Sequence, residues 1–106
     1  MIRKNKEYYY NGNINFEEYF INNVLGNIDD QPAYVEFYEN GNVQLQEWFS
    51  RGILHRANDN PASILYYENG NIKRESWYQF GKLSRTNNNP YIIEYHENGD
   101  IKFICK

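Results

Sequence analysis

The chain has 106 residues, a formal net charge of −3, 41% apolar residues and 18% aromatic residues. That length implies one domain with a modest core, and eleven Tyr, six Phe and two Trp argue against a disordered chain, which lacks the apolar surface to offset its ordering entropy. A single cysteine, Cys105, excludes an intrachain disulfide; no apolar run suits a transmembrane helix, and Met1–Lys6 has charges with no apolar stretch behind them, unlike a secretory signal.

Taken from the N-terminus, the chain opens with a charged segment (Arg3, Lys4, Lys6) and reaches a first Asn-Gly step at Asn11-Gly12. Further Asn-Gly steps follow at Asn40-Gly41, Asn69-Gly70 and Asn98-Gly99, each 29 residues after the last. Pro32, Pro61 and Pro90 keep the same spacing, as do Leu25, Leu54 and Leu83, Gly52 and Gly81, and Trp48 and Trp77 with Tyr19 before them. So many landmarks in one period predict a repeat array: a partial repeat over 1–31, then repeats 32–60, 61–89 and 90–106, all in a single domain of residues 1–106.

Within each unit, Asn-Gly between apolar runs predicts a β-hairpin with a two-residue type I′ turn. In the 32–60 unit that register puts Tyr38–Val43, Glu36–Leu45 and Tyr34–Glu47 on one face, and Phe37–Gln44, Val35–Gln46 and Ala33–Trp48 on the other. The next unit follows with Tyr67–Ile72, and with Tyr66–Lys73, Ile64–Glu75 and Ala62–Trp77. A turn near Gly52 or Gly81, a Leu-x-Arg piece (Leu54-His55-Arg56, Leu83-Ser84-Arg85) and a polar loop lead to the proline that opens the next hairpin. No segment has helical periodicity. The predicted fold is all-β, an elongated, twisted antiparallel sheet of tandem β-hairpin repeats. Phe37, Tyr66 and Tyr95, joined by Tyr8, are expected to stack as one column, with Trp48 and Trp77 buried at the hairpin bases. Arg3, Lys4, Lys6, Lys102 and Lys106 suit the protection of sheet edges.

Tyr67-Glu68-Asn69-Gly70-Asn71-Ile72-Lys73, with Trp77-Tyr78 and Gly81-Lys82-Leu83 after it, resembles the variant MORN repeats of bacteria and large viruses. Leu54-His55-Arg56 and Asn60-Pro61-Ala62 match the Gly-x-Leu-His-Arg and Gly-Pro-Ala elements of that pattern. The resemblance runs from about Glu7 onward. It implies a scaffold whose relatives include antitoxin components and parts of larger virulence or viral proteins, and a tendency toward partner binding or membrane association. The chain departs from the pattern at Asn60 and Asn89, where glycine is usual, and at Leu25-Gly26-Asn27, which lacks the Leu-His-Arg form.

Chemistry-bearing residues are few. His96 occupies the position of Tyr38 and Tyr67 and reads as a sheet residue, while His55 is replaced by Ser84 one period later. Cys105 has no metal-spaced partner and reads as a strand residue facing Ile92. Glu17-Glu18 point to opposite faces of a strand, so they do not converge as an acid–base pair. No phosphate loop, dinucleotide fingerprint or nucleophile elbow occurs. The expectation is no catalytic residue, no metal and no cofactor.

Charge is unevenly spread. Glu7, Glu17, Glu18, Asp29, Asp30, Glu36, Glu39 and Glu47 fall in a stretch from Glu7 to Ser50 with no Lys or Arg, whereas eight basic and six acidic residues follow from Arg51. An acidic half repels lipid and nucleic-acid phosphates, so neither a membrane nor a nucleic acid is the expected direct partner. It favours a protein, such as a nucleic-acid-binding effector with a basic groove. Two functions fit: a non-enzymatic protein-interaction module, or a small stoichiometric inhibitor of the phage anti-CRISPR or counter-defence type, or an antitoxin. The expected contact residues are Glu17, Glu18, Asp29, Asp30, Glu36 and Glu47, with Tyr34, Tyr38 and Tyr67 as aromatic anchors. The lone cysteine and the abundant Asn, Ile, Lys and Tyr, as AT-rich codons supply, point to the cytoplasm of a bacterial or phage-infected cell.

Overall fold

In the computed structural model, which describes residues 1–106, every Asn-Gly step turns the chain back on itself, and no helix is present. Thirteen strands form in chain order: β1 (Ile2–Tyr8), β2 (Ile14–Ile21), β3 (Val24–Leu25), β4 (Tyr34–Phe37), β5 (Val43–Glu47), β6 (Phe49–Ser50), β7 (Ile53–Leu54), β8 (Ser63–Tyr66), β9 (Ile72–Ser76), β10 (Tyr78–Gln79), β11 (Lys82–Leu83), β12 (Ile92–Tyr95) and β13 (Ile101–Cys105). The chain is all-β and antiparallel. One large sheet runs β1-β2-β4-β5-β8-β9-β12-β13, with β3 on β2, and the pairs β6–β7 and β10–β11 form two small sheets.

The Asn-Gly turns differ from the predicted geometry. Tyr38 N–H donates to the Asn42 carbonyl at 2.8 Å and its own carbonyl accepts from Gly41 N–H at 3.0 Å, so the loop holds three residues, Glu39-Asn40-Gly41. Gly41 has φ +96°, but Asn40 does not enter the left-handed region that a type I′ turn needs at both central residues. The Asn40 side chain instead accepts the Asn42 N–H at 2.9 Å, a local bond that favours the longer loop. Gln44 becomes the extra residue of a bulge, and the predicted register fails at the tip: Phe37 meets Val43, and in the next pair Tyr66 meets Ile72. Below the bulge the predicted pairs hold, including Glu36–Leu45, Tyr34–Glu47, Val35–Gln46 and Ile64–Glu75.

Two consecutive left-handed residues occur elsewhere. Asn22-Asn23, Arg51-Gly52 and Phe80-Gly81 have paired positive φ values and close the tight turns β2–β3, β6–β7 and β10–β11. Asp29-Asp30, Asn58-Asp59 and Asn87-Asn88 do the same in the polar loops. Most of these residues are Asn, Asp or Gly, which tolerate that conformation at least cost.

Lateral bonds join one hairpin to the next. The Tyr9, Tyr38 and Tyr67 hydroxyls donate to the carbonyls of Phe37, Tyr66 and Tyr95 at 2.5, 2.6 and 2.7 Å. The side-chain amides of Asn13, Asn42 and Asn71 donate to the Glu39, Glu68 and Glu97 carbonyls, each at 2.7 Å. Along the small turns, Gly52 N–H donates to Leu25 and Gly81 N–H to Leu54. The approach is close: a Cβ on Gly52 would lie 2.9 Å from Val24 Cγ1.

The expected column of Phe37, Tyr66 and Tyr95 does not stack. The ring pairs of the molecule are Phe16–Tyr34 and His55–Phe80. Tyr66 and Tyr95 aim their hydroxyls at Gln46 Oε1 (2.6 Å) and Glu75 Oε1 (2.5 Å), because a partly buried hydroxyl needs an acceptor. Burial and that carboxylate push the Tyr95 hydroxyl up to about 12. Tyr8 stays exposed.

The buried centre is small: Ala33, Val35, Trp48, Ala62, Ile64 and Trp77 are its apolar members. Trp48 and Trp77 lie at the hairpin bases as expected, with 7% and 4% exposure. Their backbones pair with the following hairpin, however: Trp48 N–H donates to Ala62 and Trp77 N–H to Tyr91. The predicted Ala33–Trp48 and Ala62–Trp77 pairs are broken because Ala33 and Ala62 donate one residue earlier, to Glu47 and Ser76. The molecule is a slab of 39 × 32 × 18 Å with a radius of gyration of 14.5 Å, larger than the roughly 13 Å of a compact domain of this length. Trp77→Ala is expected to cost about 3–5 kcal/mol in urea unfolding, as large-to-small changes at packed sites do; an unchanged midpoint would contradict the packing described.

Candidate partner-binding face

Strand alternation sends Glu18, Tyr34 and Glu47 to one face of the large sheet. They occupy a single cross-strand row: Glu18 pairs with Tyr34 across β2–β4, and Tyr34 with Glu47 across β4–β5. The adjacent row on that face holds Phe16, Glu36 and Leu45. Tyr34 Oη donates to Glu36 Oε2 at 2.7 Å, and its ring lies 6.0 Å from that of Phe16. Asn5 Nδ2 donates to Glu18 at 3.0 Å from β1. Glu47 is half-buried and makes no side-chain hydrogen bond or ion pair with the protein.

The electrostatics follow from that packing. Burial raises the Glu47 carboxyl above its ordinary value, and the neighbouring charge of Glu36 adds to the rise. The Tyr34 hydroxyl is also held well up, first by burial, then by its bond to Glu36 and by the charges of Glu36, Glu18 and Glu47. Farther along the same rows the residues are Ser63, Ser76 and Ile92, and Leu65, Arg74 and Glu94. There Arg74 pairs with Glu94 at 3.5 Å. The row of Glu47 therefore continues through Ser63 and Ser76, so the sheet does not require a carboxylate at that row position.

Not all the expected contact residues join this group. Glu17 points to the opposite face, where Lys6 and Lys4 approach it at 3.5 and 4.0 Å and Tyr19 Oη at 3.2 Å. Its charge is the chief cause of a raised Lys6. Asp30 receives a two-point bond from Arg56, Nε to Oδ1 and Nη2 to Oδ2, both 3.1 Å. The acid-rich stretch thus has bases after all, supplied by β1 on one side and by Arg56 on the other. Counting charges within a stretch misses partners brought in by antiparallel pairing. Asp29 sits in a left-handed turn, its carbonyl accepting from the Gln31 side chain. Tyr38 and Tyr67 use their hydroxyls between hairpins.

The Leu-x-Arg spacing marks Arg56 and Arg85 without disclosing what their side chains do. Arg56 lies 3.7 Å over the Trp48 ring and donates to Pro61, and Arg85 lies 3.9 Å over Trp77 and donates to Pro90. His55 stacks on Phe80 with ring centroids 4.3 Å apart. Cys105 faces Ile92 as expected. No group of three or more His, Cys, Asp or Glu residues is arranged to hold a metal ion. No protein-family model, no curated protein and no solved structure matches this chain.

A raised folded-state carboxyl favours folding below the unfolded value, near 4.5 for Glu47, and that contribution is lost as pH rises through the folded value. Glu47→Gln should therefore raise the urea midpoint at pH 7. The gain should shrink toward zero as pH falls below the unfolded value, and a gain independent of pH would contradict the assigned burial.

Proposed function

We propose that this chain is a non-enzymatic protein-interaction module, a MORN-like tandem array of β-hairpin units of 29 residues, and that it docks a basic segment of a protein partner on the face around Tyr34. The observation that carries this reading is Glu47, a half-buried carboxylate beside Glu36 with no cation of its own. A partner Lys or Arg set over the Tyr34 and Phe16 rings would relieve that repulsion and add a cation–π contact. The array reading is supported by the Tyr and Asn side-chain bonds described above, which link hairpin to hairpin through the same residue types.

A narrower form of the same reading is a stoichiometric inhibitor of a bacterial effector or nuclease, of the phage anti-CRISPR or counter-defence type, or an antitoxin. The acids concentrated on β2, β4 and β5 favour it, since an effector's basic nucleic-acid groove is a surface they complement. The corresponding place of action is the cytoplasm of a bacterial cell or phage-infected host.

The test is affinity capture from bacterial lysate, followed by kinetics with the captured partner at low and high salt. Glu18→Lys, Glu36→Lys and Glu47→Lys together should slow association by about tenfold or more at low salt, and the difference should narrow at high salt, where screening falls to a few ångströms. Lys73→Glu, Arg74→Glu and Lys82→Glu together should matter less. Glu17 and Asp30 are left unchanged because they hold the fold. Parental binding by the acidic set at low salt would refute the proposal.

A further inference from the structure

A cleft of about 500 Å³ opens between the small turns β2–β3 and β6–β7, lined by Ile21, Val24, Leu25, Gly26, Phe49 and Arg51. Its origin is visible in the next interval along the molecule. There His55 lies flat on Phe80 at 4.3 Å, and Phe80 N–H donates to His55 Nδ1 at 3.2 Å. Gly26 and His55 occupy matching backbone positions: Gly26 N–H donates to Tyr19 and His55 N–H to Trp48. Arg51 stands at the head of its tight turn as Phe80 does, with φ of 52° against 50°. The cleft is therefore the place where the chain omits an imidazole that it supplies one interval later.

What the omission leaves is specific. The Arg51 N–H, the counterpart of the N–H that binds His55, has no acceptor in the protein. The Arg51 guanidinium has no acidic partner. Gly26 is buried in the cleft floor and has an ordinary φ. A flat ring placed there would have a backbone donor at Arg51, the apolar side chains of Ile21, Leu25 and Phe49 with the polar Asn22, Asn27 and Ser50 beside them, and the unpaired guanidinium of Arg51.

We propose that this cleft is a binding site for a nitrogen heteroaromatic ring of the imidazole type carrying a carboxylate. The ring nitrogen would accept the Arg51 N–H, as His55 Nδ1 accepts that of Phe80, and the carboxylate would meet the Arg51 guanidinium. The volume lies in the range of small-ligand pockets. The chemistry fits a free small molecule or a C-terminal histidine of a peptide. The site shares no residue with the acidic face and does not depend on its role.

The test is amide NMR titration of the full chain with imidazole-4-carboxylate and, separately, with the tripeptide Gly-Gly-His. Saturable shifts are expected at Gly26, Phe49 and Arg51, and the probe that binds more tightly identifies the source. A Cβ at Gly26 would meet its nearest atoms, Ile21 Cδ1 and Phe49 O, at 3.6 and 3.7 Å, ordinary contact distances. Gly26→His should therefore fold, place its own ring in the cleft and weaken both probes by about tenfold or more. Arg51→Asp, at an exposed turn, should weaken them similarly. Absence of saturable shifts at these amides would overturn the proposal, as would parental affinity in both variants.

Discussion

Arg56 and Arg85 each hold three things at once. Arg56 lies on the Trp48 ring, grips both Asp30 carboxylate oxygens from the preceding loop, and donates to the Pro61 carbonyl at the start of the next hairpin. Arg85 does the same with Trp77, Asp59 and Pro90. The indole N–H groups complete the arrangement by donating to the carbonyls of Asp30 and Asp59. The buried apolar residues are few and none of the large side chains is fully enclosed, so the apolar burial that stabilises ordinary domains is scarce. Cohesion then depends on lateral contacts, and beyond the backbone ladder each clamp ties an indole, a preceding loop and the next hairpin together. A guanidinium suits the task because it is planar and always charged, so one group can stack and bond in its plane together.

The ends of the molecule follow from that constraint. At the N-terminal end Tyr19 and Asn27 stand where tryptophan and arginine stand later, and Asn27 keeps only the bond to Pro32. On that side β1 adds contacts of its own: Lys4 and Lys6 reach Glu17, and Arg3 covers Phe20. At the other end His96 and Asp100 replace the tyrosine and asparagine that donate to a following hairpin. The last hairpin therefore lacks the tyrosine and asparagine donors of the hairpins before it. Its edge strand instead carries exposed Ile101, Phe103 and Ile104.

Once the clamps and lateral bonds have taken their residues, the remaining polar groups stand apart by having no internal partner. Glu47 on the sheet face and Arg51 at the cleft are such groups, in separate places and of opposite charge. Asp30, Glu17, Tyr38 and Tyr67 resembled binding residues in composition, yet their side chains are already bonded within the molecule. A surface charge is informative about partners only after the charges used by the fold have been subtracted.

Much of this was readable from the chain alone. Apolar alternation around the Asn-Gly steps specified antiparallel strands, their faces away from the turns and the burial of both tryptophans, because each depends on residue type and local spacing. The turns were not readable: Asn40 could serve a type I′ turn or cap a longer loop with its side chain, and the longer loop shifted Phe37 and Tyr66 by one partner. The paired left-handed turns at Arg51-Gly52 and Phe80-Gly81 were equally hidden, since neither Arg nor Phe signals positive φ. Which acids stay unpaired was decided in three dimensions. Lys4 and Lys6 reach Glu17 only through the β1–β2 register, and Arg56 reaches Asp30 across 26 residues. The cleft at Gly26 was marked by the missing Leu-His-Arg form, but that the absent imidazole leaves open space required the neighbouring His55–Phe80 stack for comparison.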